Sequence, residues 1–325
     1  MKVLVTGGSG IVGRYIVEAL LRAGHSVKVL TRKPQEAKSR LEESGEMLEM
    51  IEGDVLDVIG LDHALRGVDV VIHAAGKVSF HASDYRELMQ VNHLGTTHVV
   101  NACLHSGISL LYISSVACLS PGRPMPCEVD ERSGFNPDRN TSAYSVSKYL
   151  AELEVFRGIE EGLKAAILNP VIVLAPGKEE ESSASLIRYA MKPRYFQPSG
   201  WLNYTDARDL ATIALKVLEA NKFEGKRMIV SAGFTPYADF FRRIADEQKI
   251  SRPRITAGPL LTSIAWRFAA LYAFITGKKP LLTRQSAASA SRKIIFRGNY
   301  LQEAFPDFSF RSLEETLQWI LLKNG

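Results

Sequence analysis

Along the first half of the chain, short runs rich in β-branched and aliphatic residues alternate with longer stretches whose apolar positions recur every three or four residues. The short runs predict strands over Lys2–Thr6, Ser26–Thr31, Met47–Glu52, Val68–His73, Ser109–Ser114 and Lys164–Leu168. The longer spacing predicts helices, among them Val12–Ala23 and Thr96–His105, with Gly24 and Gly107 at their C-terminal ends. Regular alternation of strand and helix calls for a parallel sheet, because right-handed crossovers return each helix to a sheet face. The expected fold class is α/β, a doubly wound parallel sheet. Beyond Val173 the pattern changes. Pro176–Gly200 has no clear period, Asp206–Glu219 reads as another helix, and from Phe234 onward the chain is mostly helical. Residues 1–175 are expected to form a nucleotide-binding domain. Residues 176–325 are expected to form a smaller, mostly helical substrate-binding region, with some segments returning to the first domain.

Composition adds limits rather than direction. A chain of 325 residues with 46% hydrophobic and 23% charged residues can bury a large core without staples. The net charge is +5, but basic residues such as Lys33, Arg40, Arg188, Arg194 and Lys278 stand among acidic neighbours rather than in an arm. That argues against nucleic acid as a partner and suits an anionic small ligand. Cys103, Cys118 and Cys127 are odd in number and contain no C-x-x-C pair, so neither a disulfide framework nor a cysteine-rich metal site is expected. His63, His73, His81, His93, His98 and His105 show no metal spacing and read as core or surface residues. The opening residues lack the apolar core of a signal peptide. The longest apolar region, from Ile255 to Leu282, is broken by Arg267 and Lys278 into pieces below the ~18 residues of a spanning helix. A cytoplasmic protein without a transmembrane segment is the expectation, with a homodimer open to it.

Chemistry begins where the first strand ends. Thr6-Gly7-Gly8-Ser9-Gly10-Ile11-Val12-Gly13 is a Gly-x-x-Gly-x-x-Gly turn running from a strand into a helix. Glycines let the backbone turn sharply and approach a pyrophosphate, which the helix N-terminus then holds. Thr6, Gly7, Gly10, Ile11, Val12 and Gly13 are therefore candidate contacts for a dinucleotide on a Rossmann domain. After the second strand come Thr31-Arg32-Lys33, with no acid until Glu36. A carboxylate at that place would hold the ribose hydroxyls of NAD, whereas Arg32 and Lys33 suit a 2′-phosphate. The cofactor expected is NADP rather than NAD.

Tyr144 and Lys148 stand at i and i+4, stacked on one helix face, and Lys follows at that spacing after none of the other ten tyrosines. Ser114 and Ser115 lie where a strand end delivers hydroxyls to a ligand. Together with the glycine turn, this set resembles the extended short-chain dehydrogenase/reductases. Further matches run through most of the chain. Gly53-Asp54-Val55 resembles the family's adenine-side acid, His73-Ala74-Ala75 its strand-four motif, and Val91 to Thr96, with Asn92, its following helix. Leu168-Asn169-Pro170, Val173 and Ala175-Pro176-Gly177 resemble the loop near the nicotinamide. Asn169 departs from the arginine common there, a change expected to bear on local packing more than on hydride chemistry.

The resemblance implies roles. Tyr144 would be the general acid/base, Lys148 would lower its pKa and hold the nicotinamide ribose, and Ser115 would donate to the substrate oxygen, with Ser114 as the alternative if the strand register shifts by one. Asp54, Val55, Ala74, Ala75, Asn92, Ser114, Tyr144, Lys148, Pro170 and Val173 would join the glycine turn around the cofactor. Within the family the chain looks most like the dihydroflavonol-reductase and 3β-hydroxysteroid-dehydrogenase branch, on Thr31 to Pro34, Gly277 to Thr283 and the closing helix Leu313–Trp319. The implied activity is hydride transfer between NADP and the carbonyl or secondary alcohol of an apolar small molecule. Two readings stand beside it: a nucleotide-sugar epimerase or dehydratase, for which Arg188, Arg194 and Arg208 could clamp a pyrophosphate, and a non-catalytic NADP-binding scaffold. Asp206 and Asp209 at a helix start read as caps rather than acids. The aromatic group Tyr189, Tyr195, Phe196 and Trp201 is open between pocket lining and core packing. The apolar segment Pro259–Phe274, with Leu260, Leu261, Ile264, Trp266, Phe268, Leu271, Tyr272 and Phe274, has three possible partners: core, substrate or a membrane surface.

Overall fold

The structure is a computed structural model that describes residues 1–41, 46–122, 124–177, 182–276 and 282–324. The stretch Gly277 to Leu281, read above as a branch signal, lies outside the described residues, as does the Phe274 side chain.

Seven strands form one fully parallel sheet. They are β1 (Lys2–Thr6), β2 (Ser26–Thr31), β3 (Leu48–Glu52), β4 (Val70–His73), β5 (Ser109–Ile113), β6 (Ala165–Pro170) and β7 (Arg227–Val230). Their spatial order is β7-β6-β5-β4-β1-β2-β3, so the chain reverses direction across the sheet between β1 and β4. In an open parallel sheet such a reversal leaves a crevice for a ligand beyond the strands' C-terminal ends.

Both sheet faces are covered, which is why β1 reads as an unbroken apolar run. Val3 and Val5 face the first helix, Ile11–Arg22, and the later helix Ala207–Glu219. Leu4 and Tyr112 face the opposite way, into a core shared with helices Gly95–Ser106 and Ala143–Glu160. Several boundaries differ from the expectation by one or two residues. β6 continues through Asn169 to Pro170, where the missing N–H costs little because the strand is ending. β7 was not expected at all; the short Met228-Ile229-Val230 run gains a partner only when the helix Ala207–Glu219 carries it back beside β6.

A second core lies beyond the sheet, built from Leu174, Ile187, Leu202, Phe240, Phe241 and Leu317 among others. A three-stranded sheet of Ile172–Leu174, Trp201–Asp206 and Gly233–Pro236 supports it, and from Phe234 onward helices predominate, as the pattern predicts. The helix Ser182–Ala190 falls inside the segment that had no clear period.

Candidate active site

The glycine turn is closed down on its neighbours. Gly7 has φ +71°, and a Cβ there would lie 2.5 Å from the Ala75 nitrogen at the end of β4. A Cβ on Gly13 would strike the Gly7 carbonyl. Side chains at either place would fill the cradle, so the residues present fit a pyrophosphate pressed against backbone. The helix begins at Gly10 with no side-chain cap, and its first amides, those of Ile11, Val12 and Gly13, are the donors an anion would meet.

The Thr6 hydroxyl is engaged beneath this turn. It meets His73 Nδ1 at 2.6 Å and accepts from the Ala75 N–H at 3.3 Å. His73 Nε2 meets the Thr96 hydroxyl at 3.0 Å, and Thr96 donates to the Asn92 carbonyl at 2.5 Å. Burial, reinforced by the nearby Lys148, pulls the His73 pKa down to about 3, so the ring is neutral. Thr6 and His73 thus tie β1 to β4 and to the helix behind them.

At the adenosine side, Arg32 and Lys33 follow β2 with largely exposed side chains; Arg32 lies 3.9 Å from Asp54 and Lys33 3.2 Å from Glu36. The Asp54 carboxylate also accepts from the Leu56 N–H at 3.0 Å, while Val55 is packed in the core. A third cation, missed from sequence, reaches the same place. Arg40 donates to the Ser9 carbonyl at 3.3 Å and pairs with Glu36 at 2.6 Å. Its position, two residues past the end of the short helix Pro34–Lys38, carries no motif; only folding lays it over the glycine turn.

At the reacting end, Ser142 caps the helix Ala143–Glu160 by accepting from the Ser145 N–H, and this helix presents Tyr144 and Lys148 one turn apart. The Ser115 hydroxyl accepts from the Ala117 N–H at 3.2 Å and lies near enough to Tyr144 to favour its phenolate. Burial outweighs that influence and pushes the Tyr144 pKa up to about 12. The expected depression by Lys148 is not found. The Lys148 ammonium instead donates to Tyr112 Oη at 3.1 Å and to the Ile113 carbonyl at 2.9 Å. Burial lowers the Lys148 pKa to about 8. Tyr112 is a contact the sequence did not mark: an aromatic in the middle of an apolar strand reads as core.

Asn92 and Ser114 act from behind. Asn92 accepts from the Lys77 N–H at 2.7 Å and donates to the Ser147 hydroxyl at 2.9 Å, bracing the loop after β4 against the Tyr144 helix. It sits in a π-helical turn, Met89–Leu94, a distortion frequent at functional sites. The Ser114 hydroxyl turns away from Tyr144 and donates to Glu152 at 2.6 Å. Glu152 also accepts from Asn169 at 2.8 Å and pairs with Arg227 at 3.0 Å. Asn169, the departure noted above, therefore belongs to a buried polar cluster directly under the serine pair. Glu152 and Arg227 were not singled out from sequence, since each reads as an ordinary surface charge. Pro170 and Val173 are buried at and after the end of β6, and Val173 pairs with Thr205. Phe80 meets the Tyr144 ring edge-on at 6.4 Å, an apolar neighbour for whatever Tyr144 addresses.

The arginines considered for a pyrophosphate clamp are each engaged within the chain. Arg188 donates to the Gly177 carbonyl at 3.1 and 3.2 Å. Arg194 stacks 3.9 Å over Tyr189. Arg208 grips Asp206 at 2.6 and 3.0 Å and stacks 3.8 Å over Trp319. Asp206 caps its helix as expected, accepting from the Arg208 N–H. Trp201 packs on Phe234, whereas Tyr195 and Phe196 face outward.

Comparison with known proteins agrees with this geometry. The model of the NAD dependent epimerase/dehydratase family matches residues 3–233. Cinnamoyl-CoA reductase 1 of Petunia hybrida is 27% identical over 238 residues, covering 69% of this chain and 71% of that protein. The crystal structure of gox2253 aligns with a TM-score of 0.80 at 26% identity, covering 99% of this chain and 97% of the other. The yeast methylglyoxal/isovaleraldehyde reductase Gre2, complexed with NADPH, shares the fold with a TM-score of 0.75 at 19% identity, covering 100% and 98%.

Proposed function

Because the chain belongs to the NAD dependent epimerase/dehydratase family and is an NAD(P)-dependent oxidoreductase, we propose that it is an NADP(H)-dependent reductase of an apolar ketone or aldehyde, running reversibly with the secondary or primary alcohol. The observation that carries the reading is the placing of Ser115, just past the end of β5, near Tyr144, with Lys148 one helical turn on. The nicotinamide, when bound, supplies or accepts the hydride. Glycines 7 and 13 admit its pyrophosphate, and Arg32, Lys33 and Arg40 supply positive charge for a 2′-phosphate.

The chain's own groups handle the oxygen and the proton. Ser115 donates to the carbonyl oxygen as negative charge grows there. Tyr144, with its pKa near 12, is protonated at neutral pH and gives its proton to that oxygen. Lys148, cationic below about 8, is poised one turn away to bind a ribose hydroxyl and to favour the phenolate left behind. Phe80 beside Tyr144, and the engagement of Arg188, Arg194 and Arg208 elsewhere, support an apolar carbonyl over a nucleotide sugar.

The test compares cofactors and substrates together. Calorimetry should give NADPH tighter binding than NADH by well over tenfold, from two charge-assisted contacts at ~1.5–3 kcal/mol each. Arg32→Asp should erase or reverse that preference. Thermal shifts with NADP present should favour aromatic and steroidal ketones over UDP- and GDP-sugars. Tighter NADH binding by the unaltered protein, or stabilisation by a nucleotide sugar alone, would overturn the corresponding half of the reading.

A further inference from the structure

The helix Pro259–Thr276 is turned outside in. Leu260, Phe268 and Ile275 are 77%, 67% and 73% exposed, and Ile264, Leu271 and Tyr272 lie on the same half of the helix. On the other half, Thr262 bonds back to the Ala257 and Gly258 carbonyls, while Trp266 and Ala269 are half-buried. That inner half packs on the helix Arg284–Ala290 and on the strand Ile255–Ala257. Through the strand the outward apolar surface continues, because Ile255 pairs with the exposed Phe196, and Tyr195 beside it is 76% exposed. A contiguous apolar surface of this kind marks an interface.

Charge identifies what covers it. Read along the whole chain the basic residues looked scattered, yet between Glu247 and Glu303 there are ten Lys and Arg residues and not one Asp or Glu. Since the whole chain carries only +5, everything outside this stretch is net acidic. Arg252, Arg292 and Arg297 meet carboxylates of Asp246, Asp138 and Glu128. Arg254 and Arg284 are exposed on the two flanks that touch the helix, and Arg267 lies on the helix itself, 4.6 Å over Trp266. A second copy docked by two-fold symmetry would set one basic, acid-free segment against another. An anionic surface would not be repelled.

We propose that the helix Pro259–Thr276 and the adjoining strand form a docking face for a bilayer surface containing anionic phospholipid. No helix among the described residues is long and apolar enough to cross a membrane, so the helix lies in the plane of the interface. Its outward leucines, isoleucines and Phe268 enter the acyl boundary, Tyr195 and Tyr272 take the headgroup level, and Arg254, Arg267 and Arg284 meet phosphates. Binding is read without turnover, so the proposal stands or falls apart from the reductase reading.

The experiment is flotation of the full chain with vesicles of phosphatidylcholine alone and with equimolar phosphatidylcholine and phosphatidylglycerol. The protein should float with the mixed vesicles, bind pure phosphatidylcholine at least ~tenfold more weakly, and be released as salt shortens the screening length. Phe268→Asp should abolish flotation. Arg254→Glu with Arg284→Glu, which leaves the apolar face intact, should weaken it by ~tenfold or more. NADPH binding by each variant reports that it has folded. Failure of the unaltered protein to float with either vesicle overturns the proposal. So does a dimer in sedimentation velocity that Phe268→Asp dissociates and mixed vesicles do not, because the face then belongs to a second copy.

Discussion

Tyr144 and Lys148 carry pKa values displaced by the same cause, burial, in opposite directions, because burial penalises an anion on one and a cation on the other. The phenol is a proton donor throughout the neutral range, which suits reduction. Tyr144→Phe is expected to abolish turnover while leaving NADPH affinity nearly intact, since it removes one hydroxyl and little packing. Ser115→Ala should lower kcat by roughly 10²-fold through loss of one donor to the developing oxyanion. Lys148→Met should impair both turnover and cofactor binding. The Lys148 ammonium is kept below about pH 8 and lost above it. Reductive kcat/KM should therefore be level from pH 6 to about 7.5 and decline beyond about 8. A profile that stays level past pH 9.5 would show that the Lys148 charge is not needed.

Elements, rather than single groups, decide whether these residues meet. The glycine turn works only if β1, the first helix and the end of β4 close on each other, and Gly13 stands where Gly7 needs the space. Gly13→Ala should cost at least ~tenfold in dinucleotide affinity, measured by calorimetry, because the loop must open to admit a methyl group. The serine-bearing turn after β5 depends on a different assembly. Glu152 holds Ser114 of that turn, Asn169 of β6 and Arg227 of β7 from within one helix. Glu152→Leu leaves Ser114, Cys118, Asn169 and Arg227 without their acceptor and should destabilise the fold by about 2–4 kcal/mol in denaturant unfolding. If Glu152→Leu unfolds at the unaltered midpoint, the cluster contributes nothing to stability.

Across the whole molecule, acid sensitivity should trace to His73. Its folded pKa is about 3 against an ordinary value of 6.5. Below pH 6.5 the unfolded chain takes up a proton that the folded chain refuses until about 3. Stability therefore falls as pH drops through that window, at up to ~1.4 kcal/mol per pH unit from this group. His73→Gln should show a shallower fall in Tm between pH 6 and 4 than the unaltered protein. Equal slopes would remove His73 as the cause.

The sequence by itself determined what local pattern can encode. Short β-branched and aliphatic runs located six of the seven sheet strands within two residues, and the glycine spacing at residues 7 to 13 marked the candidate cofactor end. Tyr144 and Lys148 were legible because their spacing is a property of one helix. Only the tertiary structure decided matters that join distant segments. It turned Ser114 to Glu152, which leaves Ser115 as the serine nearer Tyr144. It placed Arg40 over the glycine turn and Tyr112 against Lys148, and it made Met228 to Val230 a strand by giving that run a partner. It also settled which half of Pro259–Thr276 faces outward. Periodicity reports that a helix has an apolar half, but whether that half meets the core depends on what the rest of the chain packs against it.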